Sequence, residues 1–265
     1  MQNTIKFSVF TKPWPKKSID ELGRFVHWLG FDGIELPVRP GFPVDPDNMA
    51  VELPKAVKTL ATHSVSIYSI AGAATESMIA ACGAAGIPTV RVMAPIGPKG
   101  YLSTEEQMRK EFDVVLPVLE RHKVRIGVQN HSGRYISNAS GLRALLAGYD
   151  PKLIGAVWDA AHNALQGEEP ELALDIVWRN LCMVNLKNAI WKRKSAPDAP
   201  VADWSIYWTP GNEGLASWTR VAQELKRRQY VGVVCLTAEY SDEGQVDRFV
   251  SNDLHFARSL FGQAT

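Results

Sequence analysis

The sequence predicts an α/β protein folded as a single (β/α)8 TIM barrel, and three observations carry that prediction. Strand-like and helix-like segments alternate from end to end, eight of each, with no break. The chain has 265 residues, close to the roughly 250 that such a barrel needs. Four apolar runs in the second half each follow a helix-like stretch, precede a loop and end in a polar side chain. They are Arg125–Gln129, Ile154–Asp159, Cys182–Asn185 and Val231–Glu239. Parallel strands whose C-terminal ends converge on one site have this layout.

Each element has a local reason. Ile5–Phe10 is a first strand, followed by an amphipathic helix with Ser18 as N-cap and Leu22, Phe25, Val26 and Leu29 on one face. Gly33–Leu36 is a short strand, and a helix from Asn48 to His63 leads to the strand Val65–Ile70. Thr75–Ala85 is a helix of small residues closed by Gly86, a residue suited to the left-handed C-cap, and Thr89–Met93 follows as a strand. The remaining pairs are Thr104–His122 with Val124–Gln129, Asn138–Ala147 with Leu153–Trp158, Pro170–Asn180 with Cys182–Leu186, and Leu215–Arg228 with Val231–Leu236. A helix over Gln245–Phe261 closes the chain. No domain boundary interrupts residues 1–265, and the Gly-rich turn of a dinucleotide fold is absent after the first strand. The longest stretch that reads as irregular, 188–214, holds Pro197, Pro200 and Pro210 with Trp191, Trp204, Tyr207 and Trp208. Such a loop is expected to be an ordered cover over the barrel mouth.

Composition excludes several classes. Lys plus Arg number 29 against 28 Asp plus Glu, a net charge of +1, so no global field favours nucleic acid or an anionic membrane. Cys82, Cys182 and Cys235 are odd in number, widely spaced and without a CxxC motif, as expected of reduced thiols in a core. No leader-like pattern opens the chain, and no apolar run approaches the ~20 residues that cross a bilayer. The expectation is a soluble cytoplasmic protein.

Strand ends should supply the chemistry, and the polar residues there are Glu35, Arg91, Gln129, His131, Asp159, His162, Asn185, Lys187, Glu239 and Asp242. The segments Leu29–Leu36, Gly127–His131, Trp158–His162, Val184–Asn188 and Ala238–Glu239, in this order, resemble the xylose isomerase-like barrels. That family includes sugar isomerases, ketose 3-epimerases, inosose dehydratases and endonuclease IV-type nucleases. In its isomerase and epimerase branch the resemblance implies metal ligands at the ends of the fifth to eighth strands, here Gln129, Asp159, Asn185 and Glu239. It also implies a substrate-contacting histidine at His162 and a lysine at Lys187. Glu35, His131, Trp191 and Trp208 are candidate substrate contacts, the tryptophans because aromatic faces stack on the apolar side of sugar rings.

Two of the four implied ligands are neutral amides where the family carries Glu and His. Amide oxygens remain ligands for hard ions, so Mn, Mg or Co is expected over Zn if a metal binds. Gln129 and Asn185 could instead bond each other in a metal-free site, Asp159 could be the structural partner of Lys187, and Glu35 could pair with Arg39 or Arg91. Gln129 takes no proton at neutral pH, which disfavours a symmetric two-base mechanism and leaves Glu239 as base with His162 or Lys187 as acid. The resemblance therefore implies an enzyme acting on a small sugar or cyclitol by proton abstraction next to a carbonyl, as an isomerase or epimerase. The alternatives are a keto-sugar dehydratase or lyase, or an inactive sugar-binding relative. A nuclease would need many more metal-binding histidines than this chain's six. Relatives often form dimers or tetramers, so a homo-oligomer is compatible with the resemblance.

Overall fold

The computed structural model describes residues 5–263; the opening residues read for a leader, 1–4, lie outside them. Eight parallel strands close into a barrel: β1 (Lys6–Phe10), β2 (Gly33–Pro37), β3 (Ser66–Ala71), β4 (Thr89–Met93), β5 (Arg125–Gln129), β6 (Ile154–Asp159), β7 (Leu181–Leu186) and β10 (Val233–Leu236). β10 pairs with both β7 and β1, which completes the ring. The single (β/α)8 barrel expected from the alternation is the observed fold.

The helices on the outside start and stop where local chemistry dictates. α1 (Ile19–Leu29) opens with a full capping box, in which the Ser18 side chain takes the Glu21 amide and Glu21 returns a bond to the Ser18 amide. It ends at Gly30 in the left-handed region. α2 (Met49–Ala61) follows; α3 (Glu76–Ala85) has Thr75 as its N-cap and ends at left-handed Gly86, the C-cap the sequence predicts. α4 (Tyr101–His122) and α5 (Ala139–Leu145) precede β5 and β6. A short helix the sequence reading does not anticipate, α6 (Ala160–Leu165), starts directly at the end of β6 with Asp159 as its N-cap. α7 (Pro170–Val177) then leads through a turn of 3-10 helix into β7.

The expected irregular cover over 188–214 is instead an antiparallel hairpin, β8 (Asn188–Arg193) with β9 (Trp204–Thr209). The aromatic and β-branched residues of Trp204–Thr209 suit a strand, and pairing satisfies backbone groups that an irregular loop would leave to water. α8 (Trp218–Arg227) and α9 (Val246–Phe261) complete the outer ring.

One large apolar cluster fills the space between strands and helices, with a smaller one (Phe10, Ala71, Val157, Met183, Cys235) inside the barrel beneath the site. Gly127 is required in β5, because a Cβ there would lie 2.7 Å from Val157 Cγ2. Cys82, Cys182 and Cys235 are free thiols. Among the described residues no helix is long and apolar enough to cross a membrane.

Candidate active site

Strand register brings the polar residues together at the C-terminal mouth. Glu35 lies beside Ser69 across β2 and β3, and Met93 beside Gln129 across β4 and β5. Asp159, Asn185 and Cys235 lie in register across β6, β7 and β10. Gln129, His131, His162, Asn185 and Glu239 line a small central chamber of about 100 Å³ with Lys12. Arg39, Arg91 and Met93 belong both to its wall and to that of a neighbouring cavity of about 460 Å³. On the other side Lys12 and Glu239 are shared with a cavity of about 500 Å³ that reaches Trp208.

Two networks occupy the implied metal-ligand set. In the first, Arg91 grips the fully buried Glu35 with Nε at 2.9 Å and Nη2 at 2.8 Å, while Nη1 donates to Gln129 Oε1 at 2.7 Å. Gln129 Nε2 then donates to Asp159 Oδ2 at 2.9 Å, and Asp159 Oδ1 accepts the His162 amide at 3.1 Å. The Asn130 side chain pins the Asp159 backbone from both sides, accepting its N–H and donating to its carbonyl. In the second network Lys187 Nζ bonds Glu239 Oε2 at 2.7 Å and Lys12 bonds the other oxygen, Oε1. Lys187 Nζ also sits 3.5 Å from the centre of the Trp208 ring. Ala238, immediately before Glu239, adopts a left-handed φ of 52°, a conformation costing a non-glycine residue about 1–2 kcal/mol.

Electrostatics follow from these partners. Burial would raise the Glu239 carboxyl, but Lys187 and Lys12 outweigh it and hold the group at about 2. Burial pushes Asp159 up to about 6 against the pull of Lys187 and the His162 amide. Burial also drives His162 well below the ordinary imidazole range, with Lys187 adding to the effect. The His131 ring is lowered by burial too, against its bond to the Ser132 carbonyl.

The backbone of Ser132 sets the tautomers of both imidazoles, whose centroids are 4.0 Å apart. Its N–H donates to His162 Nδ1 at 3.1 Å, with its hydroxyl donating at 2.9 Å, so the neutral His162 ring carries its proton on Nε2. Its carbonyl accepts from His131 Nδ1 at 2.8 Å, so the neutral His131 ring has a free lone pair on Nε2. The two rings therefore offer opposite functions, one donor and one acceptor.

The donor set does not fit the metal that the resemblance implies. The oxygen of Gln129 is taken by Arg91, and both oxygens of Glu239 by ammonium groups. Asp159 is bonded by an amide on each oxygen. Asn185 is buried, and neither atom of its amide has a hydrogen-bond partner. Among the described residues no three His, Cys, Asp or Glu side chains are placed to hold an ion. A divalent cation would have to displace three fixed positive groups from its own ligands. Gln129 and Asn185 do not bond each other, and the partner of Lys187 is Glu239 rather than Asp159.

Other expected contacts are redistributed. Glu35 is sealed beneath Arg91 and Ser69, so it orients Arg91 and cannot meet a substrate. Trp191 turns away, its indole donating to the Leu165 carbonyl at 3.3 Å, while Trp208 forms a wall against Lys187 and His162. Asp242 is exposed on the loop after β10. Lys12 and Ser132 are the residues the sequence reading misses. Lys12 stands two residues beyond β1, so the same strand-end rule finds it; Ser132 carries no signal, because its backbone does the work.

Solved structures with this fold have low sequence identity. A probable 3-DHS dehydratase, AsbF, from Bacillus anthracis has a TM-score of 0.71 at 14% identity, over 95% of this chain and 98% of that one. A D-psicose 3-epimerase from Clostridium cellulolyticum H10, solved with D-tagatose, has a TM-score of 0.73 at 13% identity over 98% and 100%. A 3-keto-D-glucoside 4-epimerase, YcjR, from E. coli has a TM-score of 0.71 at 14% identity over 97% and 100%. No curated protein matches the chain by sequence. The family described as Xylose isomerase-like TIM barrel matches residues 24–259. With a closed eight-stranded barrel and that match over most of its length, the chain belongs to the xylose isomerase-like TIM barrel family.

Proposed function

We propose that the protein is an enzyme that moves a proton next to the carbonyl of a small carbohydrate or cyclitol derivative, using its own cations in place of a metal ion. The observation that carries this reading is the capture of ligand atoms on Gln129 and Glu239 by Arg91, Lys12 and Lys187, beside two imidazoles of opposite tautomer. Fixed cations near a developing enolate oxygen supply electrostatic stabilisation of the kind a metal ion would supply.

His131 Nε2 accepts the proton from the carbon next to the carbonyl. His162 Nε2–H donates to an oxygen of the substrate. Lys187 and Lys12 offset the negative charge that builds on the enolate. Glu239, held at about 2 between two ammonium groups, is a weak base; its role is to hold Lys187 and Lys12 in place. This replaces the assignment of Glu239 as base.

The two imidazoles lie against each other at a tilt of 34° in one wall, so proton removal and return use one face of the substrate. That geometry suits isomerisation through an enediol, or elimination of water from a β-hydroxy ketone. Epimerisation needs bases on opposite faces, which makes it the poorer fit. Neighbours that include a dehydratase and epimerases lend the reading family-level support.

The test is deuterium exchange in D2O, followed by proton NMR of the carbon next to the carbonyl, on a panel of ketoses and inososes. Exchange that persists in chelator and is lost in both His131→Ala and His162→Ala is the expected result. Exchange that appears only after Mn, Mg or Co is added would reject the metal-free reading. Binding without exchange on every compound would leave the inactive sugar-binding relative.

A further inference from the structure

The cations of the mouth are all committed except one. Arg91 spends three nitrogens on Glu35 and Gln129, and Lys12 and Lys187 share Glu239. Arg39, two residues beyond β2, makes no hydrogen bond and no ion pair among the described residues. Its one recorded charge contact is with the Phe10 ring, at 6.0 Å from the centroid. It is half-buried and lines both the central chamber and the 460 Å³ cavity beside it. Glu111 lines the same larger cavity, but it sits exposed on α4 and is held by Gln107.

We infer that Arg39 receives a carboxylate of the substrate, so that the enzyme acts on a sugar acid rather than on a neutral sugar. This rests on the carbohydrate reading above and narrows it. A guanidinium presents a planar fork that matches the two oxygens of a carboxylate. Arg91 is offset by the buried Glu35, and Lys12 and Lys187 together face the single carboxylate Glu239, so the charge of Arg39 adds to an excess of cations over carboxylates at the chamber wall. A neutral sugar would leave the guanidinium unpaired while displacing its water, which costs free energy. A single fork favours a carboxylate over a phosphate, whose three oxygens call for more donors than Arg39 provides. The wall shared by the two cavities puts the acid end at Arg39 and the reacting carbons between His131 and Lys12 in the central chamber.

A matched pair of probes tests this. 2-Keto-D-gluconate and D-fructose share every carbon configuration and differ only at C1, a carboxylate in one and a hydroxymethyl in the other. Calorimetric titration of both into wild type, Arg39→Gln and Arg39→Lys reads the carboxylate's contribution directly. Wild type is expected to prefer the acid by about ten- to a hundredfold, the scale of one charge-assisted interaction. Arg39→Gln should abolish the preference, bringing the affinities for the acid and for fructose to the same value, and Arg39→Lys should restore part of it. Equal affinities in wild type would overturn the inference and leave the carbohydrate reading standing. A preference that survives in Arg39→Gln would overturn the role of Arg39. Failure of both probes to bind would reject the inference together with the carbohydrate reading beneath it.

Discussion

The two halves of the barrel mouth are charged in opposite senses. Strands β1 to β4 deliver three cations, Lys12, Arg39 and Arg91, against one carboxylate, Glu35. Strands β5 to β7 and β10 deliver two carboxylates, Asp159 and Glu239, against one cation, Lys187. The halves meet at two seams, β4 with β5 and β10 with β1. At each seam a cation from the first half crosses to an implied ligand of the second: Arg91 to Gln129, and Lys12 to Glu239. A metal position is thus neutralised by residues distant in sequence from the pattern that implies it.

The sharpest way to break this comparison is to remove the cation at the first seam. Arg91→Met strands Glu35 at zero exposure and should cost about 3–5 kcal/mol, as loss of one partner from a buried ion pair does. Chemical denaturation measures it, and adding Glu35→Gln should recover most of the loss. At the second seam, Lys187→Met leaves Glu239 with Lys12 alone. The proposed proton exchange should then fall by about 10²–10³, the scale of one preorganised electrostatic group, and NMR rates read it. A fall of that size without loss of fold would place Lys187 in the chemistry.

A control lies beneath the hairpin, away from both seams. Asp253 is buried, accepts from the Gly211 amide and the Tyr240 hydroxyl, and is pushed up to about 6 by that burial. In the unfolded chain the group ionises near 3.8, the ordinary value for an aspartate. Between about 4 and 6 the folded state therefore holds the proton more tightly, and stability falls as pH rises through that window. The rise of about two units corresponds to roughly 3 kcal/mol. Asp253→Asn should flatten that slope in denaturation curves taken across the window, while leaving the mouth unaltered. The smallest effect expected is from Ser132→Ala, which deletes the hydroxyl but keeps the backbone N–H and carbonyl that fix both tautomers. Exchange should drop less than about tenfold, the weight of a single hydrogen bond. A larger loss would assign the tautomers to the hydroxyl instead.

The barrel was legible because its signals are local and repeated. Ser18 and Gly86 announce helix ends through bonds to their own neighbours, and those ends fall where expected. The hairpin was hidden because a ten-residue connector separates its strands, and Pro197, Pro200 and Pro210 read more loudly than the aromatic and β-branched content of Trp204–Thr209. The site was legible by membership but not by pairing. Gln129, Asp159, Asn185, Lys187 and Glu239 could be placed at strand ends from the sequence. That Glu35 closes on Arg91 rather than Arg39 depends on register across three strands, which no local pattern encodes. Lys12 obeys the strand-end rule as well as any of them. The implied ligand pattern, confined to the second half of the barrel, does not include it.

Asn188 has a consequence for how this fold can be cut and lengthened. Its side chain donates to the carbonyls of Gly211 and Ala216 and accepts from the amides of Ala189 and Ala216, so one residue closes the base of the whole excursion. At the level of the mouth, Trp208 and Ser241 exchange further bonds that tie the hairpin to the loop after β10. The tip between Lys194 and Asp203 lies beyond all these ties and is largely exposed. A protease nick there would leave two fragments still clasped at the hairpin's root, and an inserted peptide or reporter would hang clear of the barrel. The hairpin is thus a handle as much as a wall: fixed where the substrate sits, free where evolution or an engineer would attach something new.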